Sequence, residues 1–367
     1  MAEDQDLGER DHSEPDPFPP PDRRIVTQAY DLSLGTLVEQ WQNGQLLLPD
    51  FQREYVWSDA KASRLIESLL LNIPVPVVYF AETENATFLV IDGHQRIWSI
   101  VRYFENQYRL SGLRISDEFK GKRFFELPEK EQRFLQMRVL RAIILTVESH
   151  PDMKFEVFER LNTGGVALNA QEVRNAIFRG PLNELLIELE RLPEFLGCLS
   201  RAEPRKRMVD RELVLRFLAL RSDYSNYRPS LLRFLNDFMR EHQTPTAQWL
   251  SAQRRLFTST TTLVKSVYGG AAFRIIDADG RPTERNINRA LFDAQMLVLS
   301  TVEAQTVSGR ERRDLLASTA RLMTAPEFDD AIRTSTGDRM RLRSRVEQFA
   351  AMVSDAGLKP RMAQLAK

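Results

Sequence analysis

The spacing of apolar residues changes character about halfway along this chain. In the first half, short apolar runs alternate with helical stripes. Residues 75–80 and 88–91 read as strands separated by a polar turn, and residues 139–147 read as a buried strand. Between them, Leu65, Ile66, Leu69 and Leu70 recur on one helical face, behind Ser58 in an N-cap position and Asp59 in the first turn. Ile97, Ile100, Val101 and Phe104 make a second stripe immediately after Gly93. A short helix is expected at 32–41 and another from Pro151, with Phe155, Val157 and Phe158 among its apolar residues. Asn169 with Glu172 three residues later forms a capping-box pattern for a helix that stops at Gly180.

From residue 181 onward the spacing is almost entirely helical. Helices are predicted at 181–191, 210–221, 229–241, 246–267, 286–304, 310–322, 326–334 and 340–355. The pattern predicts an α+β protein: a small mixed sheet with helices, followed by a mostly helical domain. We expect a lead at 1–27, an α/β domain at 28–200 and a helical domain at 201–367. The lead is expected to be disordered, because its first 24 residues are acidic, proline-rich and lack an apolar core.

Composition narrows the chemistry. Lys plus Arg equals Asp plus Glu, 51 against 51, which argues against a protein that coats nucleic acid through a large basic excess. The single cysteine, Cys198, excludes an intramolecular disulfide and a cysteine-rich metal site. The four histidines, His12, His94, His150 and His242, are far apart, so an HNH-like nuclease centre is not expected. No apolar run reaches bilayer length, and a cytoplasmic protein without membrane contact is expected. No GxxxxGK[ST] run occurs, which excludes a P-loop.

The sharpest chemical signal is Asp92-Gly93-His94-Gln95-Arg96, at a strand-to-helix junction. Such a junction presents backbone N–H groups and the positive end of a helix dipole to an anion. Arg96 can fork donors onto phosphate, Asp92 can hold magnesium, His94 can move a proton, and Gln95 can contact a base, sugar or water. The alternative is a capped turn in which Arg96 pairs with an acidic neighbour. Tyr55 and Trp57 suit core better than base stacking. The basic run Arg201, Arg205, Lys206, Arg207 and Arg211 reads as a solvated linker rather than a phosphate contact. Gly164-Gly165 reads as a tight turn or a nucleotide contact. Cys198 has no histidine nearby in sequence to activate it.

Several ordered motifs together resemble a known family. They are Phe51-Gln52-Arg53 with Tyr55-Val56-Trp57, Leu65-Ile66-Glu67-Ser68, Asp92-Gly93-His94-Gln95-Arg96, the stretch from Phe158 through Asn162 to Gly165, and the stretch from Leu168 to Asn175. Over about residues 28–220 the chain resembles the GmrS-type domain of the ParB/sulfiredoxin-like superfamily, found in restriction and phage-defence systems. The family signature has glutamine where this chain has His94. The resemblance implies a nucleotide-binding, NTP-hydrolysing regulatory component with Asp92 as a magnesium candidate at the phosphate or metal end of its pocket; relatives often carry an HNH-type nuclease domain, which the scattered histidines argue against here. His94 joins the catalytic candidates through its own capacity to move a proton, while the resemblance maps Asp92, Gln95 and Arg96 to the phosphate or metal end of the pocket and so to catalysis. It maps Gln52, Arg53, Gly93, Arg96, Asn162, Asn169, Arg174 and Asn175 to nucleotide or phosphate. Implied partners are a nucleotide, DNA and a separate nuclease or other protein. The competing readings are a DNA-binding module that senses modified DNA without turnover, and an inactive interaction protein.

Overall fold

The computed structural model describes residues 24–47, 55–83, 86–161, 169–303 and 307–365. Gln52, Arg53, Asn162, Gly164, Gly165 and most of the N-terminal lead lie outside the described residues. The chain divides after Ile177 into two compact units.

The first unit is built on a five-stranded mixed sheet. Its elements are β1 (Thr27–Ser33), α1 (Leu34–Gln42), β2 (Leu46–Leu47), α2 (Asp59–Leu70), β3 (Val78–Glu82), β4 (Phe88–Asp92), α3 (His94–Phe104), α4 (Glu129–Met137), β5 (Val139–Leu145), α5 (Pro151–Leu161) and α6 (Ala170–Ile177). Strand order is β1-β5-β3-β4-β2. β5 runs antiparallel to β1 and parallel to β3; β3 and β4 are antiparallel, and β2 joins β4 in parallel. Phe80 is the register point, opposite Val90 on one side and Ile144 on the other.

The period-2 alternation of these strands sends Leu32, Val78, Phe80, Val90, Leu140, Ala142 and Ile144 to one face. There they pack with Leu34, Leu37, Ile66, Leu69, Ile97, Ile100 and Val101 of the first three helices. Each fully buried aliphatic side chain contributes about 1.5–3 kcal/mol. β3 begins three residues later than predicted. Pro74 and Pro76 have no N–H to give a ladder, so pairing starts at Val78.

The domain change comes earlier than residue 200. Residues 178–200 hold α7 (Pro181–Leu189) and α8 (Pro193–Leu199), and both pack on α11 (Ala247–Tyr268) in the second unit. Phe195 meets Phe257 edge-on at 5.2 Å. The remaining helices are α9 (Val209–Asp223), α10 (Leu231–Glu241), α12 (Arg289–Leu299), α13 (Gly309–Met323), α14 (Pro326–Arg333) and α15 (Arg339–Asp355). α12 is the hub of the unit: residues 290–299 are all buried, against α9, α11, α14 and α15. Beyond β5, the β pairing among the described residues is one isolated bridge, Ile276 with Pro282, in keeping with the helical prediction.

The basic run at 201–211 is not wholly a solvated linker. Arg211 forks onto Glu190 at 2.6 and 3.2 Å with both side chains buried. Arg205 donates to Asp210, which is fully buried. These pairs seat the start of α9, because a carboxylate buried there needs a cationic partner. No helix among the described residues is long and apolar enough to cross a membrane.

Candidate functional site

The site forms where β4 hands the chain to α3. Gly93 stands between them with φ 99°, a left-handed conformation that glycine adopts without strain. A Cβ at this position would run into Cγ1 of Val78 on the neighbouring strand. Gly93 therefore lets the chain turn sharply and lets β3 approach closely. Having no side chain, it leaves the N-terminus of α3 without a side-chain cap.

Arg96, in the first turn, folds back across this junction. One terminal nitrogen donates to the carbonyls of Pro76 and Val77, the latter at 3.1 Å. The other donates to Oδ2 of Asp92 at 2.8 Å. The Arg96 side chain is only 13% exposed, whereas that of Asp92 is 39% exposed. Arg96 thus clamps the approach to β3, the end of β4 and the start of α3. Its charge is balanced by Asp92, and the carboxylate still faces solvent.

Gln95 turns the other way. Its Oε1 accepts the backbone N–H groups of Val56 at 3.1 Å and Trp57 at 3.2 Å. Its Nε2 lies 2.7 Å from Nε2 of His94. The amide nitrogen can only donate, so the histidine nitrogen accepts and its proton sits on Nδ1. Burial pushes the His94 pKa down, Arg96 pushes it the same way, and the Asp92 charge opposes both. His94 is therefore a neutral imidazole at neutral pH and adds no positive charge to the site.

Aromatic residues flank this arrangement. Tyr55 and Trp57 pack half-buried against the core cluster, as expected from sequence. Tyr55 lies beside Trp98, with ring centroids 6.4 Å apart, and Lys61 sits 4.4 Å over the Trp57 ring.

The other motif residues have their described bonds elsewhere. Asn169 and Glu172 form the reciprocal cap read from sequence: Glu172 N donates to Asn169 Oδ1 at 2.9 Å, and Asn169 N donates to Glu172 Oε2 at 2.8 Å. Arg174, 1% exposed, donates to Gln171, and Asn175 is also buried in α6. Glu67, unassigned by sequence reasoning, is a buried carboxylate that accepts from the backbone N–H groups of Arg114, Ile115 and Ser116. Burial would raise its pKa, but the three donors outweigh burial and hold it below the usual carboxylate range. Its signal in the sequence is a single acidic residue on the apolar face of a helix.

Cys198 is fully buried, and burial pushes its thiol up to about 12, which leaves no thiolate for chemistry at neutral pH. Among the described residues, no three or more His, Cys, Asp or Glu side chains come together to hold a metal ion.

Residues 34–179 match the family model described as GmrSD restriction endonuclease, N-terminal domain. That stretch takes in the strand-to-helix junction, Gln95 with its partners, and α6. No curated protein and no solved structure matches the chain.

Proposed function

We propose that this chain, whose residues 34–179 match the GmrSD restriction endonuclease N-terminal domain, is a component of a restriction or phage-defence system and works there by binding and hydrolysing a nucleoside triphosphate. The observation that supports this reading is the uncapped start of α3 behind Gly93, with a half-exposed Asp92 beside it. Backbone N–H groups at a helix start bind phosphate with the help of the helix dipole. Arg96 adds a guanidinium held rigidly by three partners.

Asp92 already offsets Arg96, so a polyphosphate needs further positive charge. Asp92 would be the residue to hold a magnesium ion, which would supply that charge to a bound polyphosphate. One carboxylate together with substrate phosphates and water is the donor set this ion takes at nucleotide sites. The partly exposed Asp92 carboxylate fits an ion that would arrive with the nucleotide. Asp92 then holds the metal end, Arg96 and the α3 start hold phosphate, and neutral His94 is able to accept a proton once its bond to Gln95 opens. In this proposal the helical unit supplies the surface for DNA or for a separate nuclease.

The test is calorimetric titration with each nucleoside triphosphate, with and without magnesium, followed by phosphate release. Magnesium-dependent binding with turnover supports the proposal. Asp92→Asn should lower turnover more than affinity, and His94→Gln should preserve or raise activity. Tight DNA binding without nucleotide binding or turnover would replace it with a DNA-sensing module.

A further inference from the structure

We propose that Gln95 is a positioning residue, the first rung of a strip on α3 that moors segment 55–57. Gln95, Trp98, Ser99 and Arg102 recur at the i, i+3, i+4, i+7 spacing of one helix face. Each meets that segment. Gln95 accepts from the Val56 and Trp57 N–H groups. Trp98 lies beside the Tyr55 ring. Ser99 Oγ donates to the Gln95 carbonyl at 2.7 Å, so the 2.9 Å bond between Ser99 and Tyr55 is donated by the tyrosine hydroxyl. Arg102 places its guanidinium 4.5 Å over the Tyr55 ring and pairs with Asp59 at 3.2 Å.

Burial anchors the Tyr55 and Trp57 rings of this segment but leaves Val56 between them 73% exposed. Its backbone runs 38 and 39 residues ahead of its acceptor in sequence and forms no strand or helix there. The polar contacts to α3 therefore set its course. The Oε1 that accepts two backbone N–H groups is taken up by them, and Nε2, the group that could reach a phosphate, is turned to His94. Gln95 thus shapes the wall beside the α3 start and acts on a ligand only through that wall. This consequence for ligand binding rests on the nucleotide reading above, whereas the mooring itself does not.

The mooring is read first in the nucleotide-free, full-length protein, by hydrogen–deuterium exchange at the Val56 and Trp57 amides. Gln95→Met removes the acceptor and should speed exchange at both amides by about tenfold or more. Gln95→Glu keeps an acceptor oxygen and should stay near wild type. The double variant Tyr55→Phe/Ser99→Ala cuts the strip one turn further on and should shift exchange in the same direction as Gln95→Met. Should Gln95→Met fail to fold, the double variant carries the test.

Titration with magnesium and a triphosphate then separates the two ideas. If the wild type binds, Gln95→Met and the double variant should weaken affinity by similar factors. A Gln95→Met loss with no change in the double variant would make Gln95 a direct ligand contact and overturn the positioning role. Wild-type exchange at both amides in Gln95→Met also overturns it. Faster exchange in a protein that binds no nucleotide upholds the mooring and removes only the nucleotide reading.

Discussion

Arg96 and Asp92 close a 2.8 Å ion pair across the first turn of α3, and the same guanidinium holds the carbonyls of Pro76 and Val77. Two arrangements were open for a motif with these charges: mutual neutralisation, or an empty cleft awaiting an anion. The structure shows the first. Arg96 is neutralised and nearly covered, while its partner stays half in solvent.

Arg96→Ala is therefore a stability variant as well as a binding variant. It leaves two backbone carbonyls and a carboxylate without their donor, at a cost of about 2–3 kcal/mol. Urea denaturation of the full chain should show a lower midpoint for the transition of the sheet unit. A midpoint equal to wild type would mean that the clamp contributes nothing. Nucleotide affinity of this variant must be read well below its unfolding range.

Gly93→Ala tests the junction itself. Alanine at φ 99° carries left-handed strain of about 1 kcal/mol, and its methyl group meets Val78. A loss of about 2–4 kcal/mol is expected once overpacking is added. Gly93→Ala/Val78→Ala should show favourable coupling, since removing the valine methyls relieves the clash while the strain remains. Strict additivity of the two losses would place the methyl group elsewhere.

Much of the architecture was legible because burial and periodicity agreed. The stripe on α2 and the strands β4 and β5 follow directly from apolar spacing. β1 was missed because residues 27–31 are exposed on both faces, so their side chains carry no alternation. α4 was missed for a related reason: only Leu135 is buried, while Phe134 and Met137 face solvent. α8 was hidden by Pro193 and Gly197, residues that usually punctuate loops. Here proline opens the helix, and the glycine makes room for Lys265. At the site, the turn at Gly93 was legible. The reach of Gln95 to segment 55–57 was not, because it depends on chain packing over nearly forty residues.

The second unit has its own charged core. Asp293 accepts from Arg216 at 2.6 and 2.7 Å and from Arg345 at 2.7 Å, and all three side chains are buried. Asp293→Ala would strand two guanidinium groups in the interior, at a cost of about 3–5 kcal/mol. Thermal unfolding of this variant should show loss of the helical unit first. Replacing aspartate by asparagine keeps the shape but removes the charge, and should fall between the variant and wild type. A fully stable Asp293→Ala would mean that the two arginines find other partners.

Cys198 supplies a pH prediction whose sign follows from burial. Its thiol rises from an ordinary 9.0 to about 12 in the folded chain, because burial opposes the thiolate more than Lys265 and Arg274 favour it. Below pH 9 the thiol is protonated in both folded and unfolded chains, and its contribution to stability is fully present. As pH rises from about 9 toward 12, the unfolded chain ionises while the folded chain does not, so the contribution is progressively lost. Tyr224 and Tyr268 are also raised by burial and add losses of the same sign at higher pH. The cysteine share is isolated by comparing wild type with Cys198→Ala. Between pH 9 and 10.5, wild-type stability from urea denaturation should fall more steeply than that of the variant. In parallel, a thiol reagent at pH 8 should label native protein far more slowly than urea-unfolded protein, because Cys198 is 0% exposed. Equal slopes together with rapid native labelling would show that the thiol is reached by solvent through frequent opening of α8.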